Sequence, residues 1–413
     1  MRKRSSTIAA IDIGSTKVAV VVGDYDGESL RIIGHGVAPA AGLSRGVIDN
    51  LQTARDAIAT AVEKATQSSG IRIMGAVIGI SGTHISSQNN RGIVAIPDRS
   101  RLITDDDRER ALEAASNIAI PTNRQILHVI PRGYWVEGTD YVSDPAGMYG
   151  SRLDAEAHMV TGAVSAMLNL KKCVEAAGVH VDDVVAEAVA ASLSAMHPRE
   201  REQGAALVDI GGSTTSIAIY DEGAIAHTAC LPIAGSHMTK DLAHMLRLPW
   251  ESAEALKCNY GSALPDPRYE RESVEVEAFG THPRKSVPLN FVSEILQARC
   301  EEILEAVATE LKRSGYRDRL AAGVVLTGGG SELRNLAELA ETRLQLPARV
   351  GRPQGYEGLT DLIGTPAYAT VIGLIEHAIQ GSAVAFASPE PAYPVVRGSF
   401  WEKLSAVTRA LKP

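Results

Sequence analysis

One short pattern occurs twice in this chain, with its aspartates 197 positions apart, and it narrows the folds open to the sequence. The two copies are Ala10-Ile11-Asp12-Ile13-Gly14-Ser15-Thr16-Lys17 and Leu207-Val208-Asp209-Ile210-Gly211-Gly212-Ser213-Thr214-Thr215. Each joins an apolar strand-type run to an Asp, then to a tight glycine turn carrying hydroxyls, then to a second strand-type run (18–22 and 216–220). Glycine adopts backbone angles that a Cβ forbids and lets the main chain approach another group closely. A third turn, Gly328-Gly329-Gly330-Ser331, follows the apolar run Val324-Val325-Leu326-Thr327. Any one of these alone suits an ordinary hairpin. Their recurrence in this order predicts two similar α/β halves that close on a nucleotide.

Successive backbone N–H groups in such turns form concave anion sites. Ser15, Thr16, Ser213, Thr214 and Thr215 add hydroxyl donors suited to phosphate. Asp12 and Asp209 would repel phosphate, so they fit better as outer ligands of a magnesium ion, which keeps several waters and links to one or two carboxylates. Lys17 can offset phosphate charge as a compact cation. Neither a G-x-G-x-x-G turn opening a helix nor a G-x-x-x-x-G-K-[ST] loop is present.

At 413 residues the chain has room for two or three domains. A net charge of −8 argues against a general nucleic-acid binder. Cys173, Cys230, Cys258 and Cys300 lack metal-ligand spacing and are expected as small, reduced core residues. Met1-Arg2-Lys3-Arg4 begins like a signal peptide, but Asp12 interrupts the apolar stretch that follows. No apolar run reaches bilayer-spanning length, so any membrane contact is expected to be superficial.

Three strands are predicted over 8–38 and a helix over 49–68 with Leu51, Ala54, Ile58 and Val62 on one face. A strand is predicted over 73–80. Residues 8–83 and 161–200 form the first core, with helices over about 166–177, stopped at Gly178, and up to Met196. Between them, 84–160 reads as an inserted subdomain with strand-like pieces at 92–96 and 125–130. Its helix begins at Thr104, with Asp107 completing a capping box. The second core is expected over 204–235 and 321–380, interrupted by an insertion at 236–320 whose long helix covers about 290–314 and ends at Gly315. Residues 381–399, with three prolines, read as a linker spanning about 24 Å as a flexible coil.

In 400–413, Phe400, Trp401, Leu404, Val407 and Leu411 share one helical face, which makes an amphipathic helix on a tether, suited to a lipid surface. Lys403, Arg409 and Lys412 outnumber Glu402. Each basic residue near an anionic leaflet is worth about 1 kcal/mol, so one tail should hold weakly. Many tails joined in a filament gain avidity.

With both Asp–Gly turns and the triple-glycine turn in place, the chain resembles the superfamily of actin, the heat-shock chaperone ATPases and the sugar kinases. Residues 144–158 (Asp-Pro-Ala-Gly-Met-Tyr-Gly-Ser-Arg-Leu-Asp-Ala-Glu-Ala-His), 126–131 and 254–263 are similar to the bacterial FtsA family of actin-like cell-division proteins. That resemblance implies an actin-like (ribonuclease H-like) duplicated core with ATP and magnesium between its halves. In it Asp12 and Asp209 match the aspartates near magnesium. Gly14, Ser15, Thr16 and Lys17 match the first phosphate loop, and Gly211, Gly212, Ser213 and Thr214 the second. Gly328, Gly329, Gly330 and Ser331 match the adenosine loop. Glu254 and Lys257 match a pair that reaches ribose and adenine, although their i,i+3 spacing alone suits a surface ion pair. Glu187 matches a glutamate that positions the attacking water in related actins, but Ala188 replaces the usual proline after it; a solvated residue at a helix start is the alternative reading. The resemblance further implies self-assembly into filaments, contact with other division proteins, and docking of the tail of the tubulin-like protein FtsZ on 236–320, at the inner face of the cell membrane. It implies a weak ATPase at most. Three other readings compete: a small-molecule kinase, which needs an acceptor pocket and a base; a chaperone, which needs a large domain after the ATPase; and a pilus-assembly relative, which should lack the 144–158 block.

Overall fold

The computed structural model describes residues 6–97, 101–267, 271–279 and 284–386. Two sheets repeat one plan. In the first, the hairpin Ser6–Ile13/Lys17–Tyr25 continues antiparallel into Leu30–Pro39. On its other side Gly75–Ile80 and then His180–Ala186 add in parallel. In the second, the hairpin Ala205–Ile210/Thr215–Asp221 continues into Ala224–Leu231, and Gly323–Thr327 and Ala348–Val350 add in parallel. The repeat extends to hydrogen bonds. The Gly14 N–H donates to the Lys17 carbonyl at 3.1 Å, and the Gly211 N–H to the Thr214 carbonyl at 3.0 Å.

Helix Leu51–Ser69 is capped by Asn50, whose side chain accepts from the Gln52 and Thr53 N–H groups, and ends at left-handed Gly70. It lies on the first sheet through Ala54, Ala57, Ile58, Ala61 and Ala65. Leu51, expected on that face, is 42 % exposed because it is the first residue after the cap. Val62 is only partly buried.

Two helices lie in the layer between the sheets. Strand His180–Ala186 runs straight into Glu187–Ala195, whose alanines and serines keep it slim. Helix Ala369–Phe386 crosses it so closely that a Cβ on Gly373 would overlap the Ala190 carbonyl. Expectation and structure differ here. The 321–380 stretch is expected in the second core, yet helix Ala369–Phe386 packs on the first sheet, against Ser6–Ile13, Lys17–Tyr25 and Gly75–Ile80, within a cluster that also takes in Leu207, Ala218 and Val325 of the second sheet. Tyr356–Gly358 also joins the edge of the first sheet. The crossing helix is apolar enough to be buried against both neighbours, and only chain return decides which half it serves. It also extends to Phe386, so the opening of the stretch expected as a linker is helical.

The first insertion forms its own sheet of Ser86–Ala95, Arg152–Ala163, Arg124–Val136 and Asp140–Val142, longer strands than expected. Helix Asp105–Ser116 covers it with the Thr104–Asp107 capping box in place. The second insertion holds Gly235–Leu246, Trp250–Tyr260, a hairpin, and Leu289–Ser314, which ends at left-handed Gly315. Cys173 and Cys300 are buried as expected and Cys230 partly so, but Cys258 is exposed on a helix face. The segment 400–413 and the linker beyond 386 lie outside the described residues. Among the described residues no helix is long and apolar enough to cross a membrane.

Candidate functional site

The two glycine turns meet at the mouth of the cleft. Ser213 Oγ donates to Ser15 Oγ at 2.8 Å, although the residues are far apart in the chain. A Cβ on Gly212 would overlap Thr16 Oγ1, so only glycine allows this approach. The third turn, Gly329–Glu332, is a short 3₁₀ segment set by Gly328 at φ 79°. A Cβ at Gly328 would overlap Asp209 Oδ1, so the second aspartate packs directly on this turn. Ser331, fully buried, closes the turn on the Gly328 carbonyl at 2.8 Å.

Asp12 and Asp209 each sit one pair before the end of their hairpin, opposite Ala19 and Ser216. That register aims both carboxylates into the cleft floor, where Glu187 joins them from the first turn of its helix. Burial raises Asp12 to about 7, against the pull of Lys17 and with Asp209 adding to the rise. Burial raises Asp209 to about 6, opposed by Thr370, whose Oγ1 donates to Asp209 Oδ2 at 3.0 Å, and by Lys17. Burial lifts Glu187 well above the usual carboxylate range; Asp12 and Asp209 add to this and a hydrogen bond from Ser81 opposes it. Glu187 is half-buried at the start of its helix and faces Asp12.

Three acids facing one lysine leave a local negative charge that suits a cation. Among the described residues, no three His, Cys, Asp or Glu stand close enough to hold a metal directly. Asp12 and Asp209 are the two carboxylates that could link to a hydrated cation here.

Glu254 and Lys257 are more than a surface pair. Lys257 Nζ donates to Glu254 Oε2 at 2.8 Å, to Thr239 Oγ1 at 2.9 Å and to the Gly235 carbonyl at 3.3 Å. Thr239 Oγ1 also donates to Glu254. Gly235 in turn donates its N–H to the Gly211 carbonyl at 3.1 Å, and Ser236 donates to that of Gly212 at 2.7 Å. Two hydrogen bonds, joined through Gly235, thus link the pair to the second turn. Cys258 Sγ lies 3.5 Å from Glu254 Oε1.

The described residues therefore bring together Asp12, Gly14 to Lys17, Glu187, Asp209, Gly211 to Thr214 and Gly328 to Ser331, with Glu254 and Lys257 at the rim. Phe400, Trp401, Leu404, Val407 and Leu411 fall outside them. Thr370, Tyr368, Ser81 and Glu332 also face the site and were missed. Ser81 had a weak signal, a hydroxyl beside Gly82 at the end of a strand. Tyr368 and Thr370 had none, because only the returning helix brings them in.

Matched sheets, facing hairpin turns and a crossing helix pair define an actin-like fold. The solved PilM–PilN type IV pilus biogenesis complex is similar at a TM-score of 0.63, with 15 % identity over 90 % of this chain and 98 % of that one. MreB5 of Spiroplasma citri bound to AMPPNP is similar at 0.57, with 14 % identity over 92 % and 99 %. Within this class, residues 206–373 match the family model "Cell division protein FtsA", and residues 82–161 match "SHS2 domain inserted in FTSA". The cell division protein FtsA of Pseudomonas aeruginosa is 40 % identical over 94 % of this chain and 95 % of its own length. That of Bacillus subtilis is 36 % identical over 93 % and 87 %, and that of Escherichia coli K12 33 % over 97 % of both. The chain belongs to the FtsA family of cell division proteins.

Proposed function

We propose that the chain binds ATP with magnesium in the cleft between its halves and assembles with copies of itself when nucleotide is bound. In this reading the assembled protein ties the FtsZ ring to the inner face of the cell membrane. Residues 400–413 hold the lipid, and 236–320 receive the FtsZ tail. The observation that carries the nucleotide step is the pair of glycine turns touching through Ser15 and Ser213 beside the acids Asp12, Asp209 and Glu187, of which Asp209 is buried and the others half-buried. The fold it shares with MreB5, solved with ADP and with AMPPNP, supports it.

The turn N–H groups and the hydroxyls of Ser15, Thr16, Ser213 and Thr214 would bind phosphate oxygens, in place of the contact the two serines make with each other. Lys17 would neutralise phosphate charge. Gly328 to Ser331 would leave room for adenosine, and Glu254 and Lys257 would reach its sugar and base. Bound magnesium supplies charge stabilisation of the phosphates; Asp12 and Asp209 would orient its waters. Glu187, in the first turn of its helix beside Asp12, would orient a water molecule. In this reading hydrolysis is weak at most, since Ala188 stands where related actins carry a proline after this glutamate, and the chain acts chiefly as a nucleotide-dependent structural protein.

Calorimetry of the purified chain with ATP and Mg²⁺ tests the first step, and the absence of binding by folded protein ends this reading. Electron microscopy on a lipid monolayer with ATP tests assembly, with filaments as the expected result. ATP turnover that required a sugar or acid acceptor would favour a kinase instead.

A further inference from the structure

Lys17 opens the strand that leaves the first turn, and its ammonium lies 3.5 Å from the centroid of the Tyr368 ring. Burial works against this charge, while Asp12, Glu332 and Asp209 all favour it. Yet among the described residues Lys17 closes no ion pair with any of the three. A flexible ammonium amid three carboxylates falls onto one of them unless something else holds it. Once paired in that way, its charge would be spent on the protein and not on a phosphate. The face of an aromatic ring attracts a cation without neutralising it.

The segment that carries the ring is anchored independently of the lysine. Tyr368 ends the short turn Pro366–Tyr368 and donates its N–H to the Thr365 carbonyl at 3.0 Å. The Pro366 carbonyl accepts from the Gly328 N–H at 3.2 Å and from Thr327 Oγ1 at 3.3 Å. The backbone that carries the ring is therefore fixed to the third glycine turn, and the lysine belongs to the first.

We propose that Tyr368 is a positioning residue for Lys17: its ring holds the ammonium beside the glycine turns, ready for a nucleoside polyphosphate and kept off the neighbouring carboxylates. This rests on reading the cleft as a nucleotide site.

The test measures binding of ADP and ATP with Mg²⁺, and of adenosine by competition, to the full chain. Tyr368→Leu is expected to weaken ADP and ATP binding about fivefold to thirtyfold, the range of a desolvated cation–π contact, and to leave adenosine unchanged. Tyr368→Phe, which keeps the ring, is expected to restore most of the loss. In a Lys17→Met background Tyr368→Leu should have no further effect. Should Tyr368→Leu melt below the assay temperature, Tyr368→Met takes its place, judged by the same ratio of ATP to adenosine affinity. Unchanged or tighter ATP binding by Tyr368→Leu, an equal loss for adenosine, no recovery with Tyr368→Phe, or a further loss in the Lys17→Met background overturns the proposal. A parent chain that binds no adenine nucleotide overturns the reading of the cleft and the proposal together.

Discussion

Asp209 and Glu376 are carboxylates that burial raises for different ends. Asp209 stands among other acids over a glycine turn, held by Thr370. Asp209→Asn keeps the shape and removes the repulsion. Chemical denaturation without nucleotide is expected to find the variant as stable as the parent or more so near pH 8, while calorimetry finds Mg²⁺-dependent ATP affinity at least about tenfold weaker. Glu376, on the crossing helix, is raised by burial to about 7, with Arg201 opposing. Between pH 4.5 and 7 the folded chain keeps this proton and the unfolded chain loses it. Stability from this group therefore falls as pH rises through that window and levels off above it. Glu376→Gln should flatten that slope and raise stability near pH 8 by about 1–3 kcal/mol, measured by urea unfolding at several pH values.

The elements divide into those set locally and those set by contact. Helix Leu51–Ser69 is local: a cap at Asn50, alanine spacing, and Gly70 at its end. Asn50→Ala removes a side chain that accepts at 3.0 Å from the Gln52 N–H and at 3.2 Å from that of Thr53. A loss of about 1 kcal/mol is expected in denaturant titration. The crossing pair is set by contact. Glu187–Ala195 and Ala369–Phe386 approach until Gly373 has no room for a Cβ beside the Ala190 carbonyl. Gly373→Leu should therefore destabilise by about 3 kcal/mol or more, or prevent soluble expression.

For the whole molecule, helix Ala369–Phe386 is where the proposed activities meet. Its first turn touches the cleft through Thr370, its middle places His377 at 3.3 Å from Asp183 and edge-on to His128 of the inserted sheet, and the chain continues from its end toward 400–413. Trp401→Glu puts a charge on the apolar face of that tail. Sedimentation with anionic vesicles is expected to leave the variant in the supernatant while its ATP affinity is unchanged; co-sedimentation equal to that of the parent would show that the tail is not the anchor.

Local chemistry was sufficient for part of this protein. The two Asp–Gly turns, the triple-glycine turn, the Thr104–Asp107 capping box and the stop at Gly315 each depend on a few neighbouring residues, so the sequence already contained the duplicated α/β plan and the acids of the site. The sequence alone determined which residues form the glycine turns and their acids; the tertiary structure decided what surrounds them. Thr370 and Tyr368 reach the cleft through a chain return with no local mark, and the same return lays the last helix on the first sheet. Burial likewise raises the carboxyls of Asp12, Asp209 and Glu187, helped at Asp12 and Glu187 by repulsion from acids on segments far apart in the chain, a property that no short stretch of residues possesses.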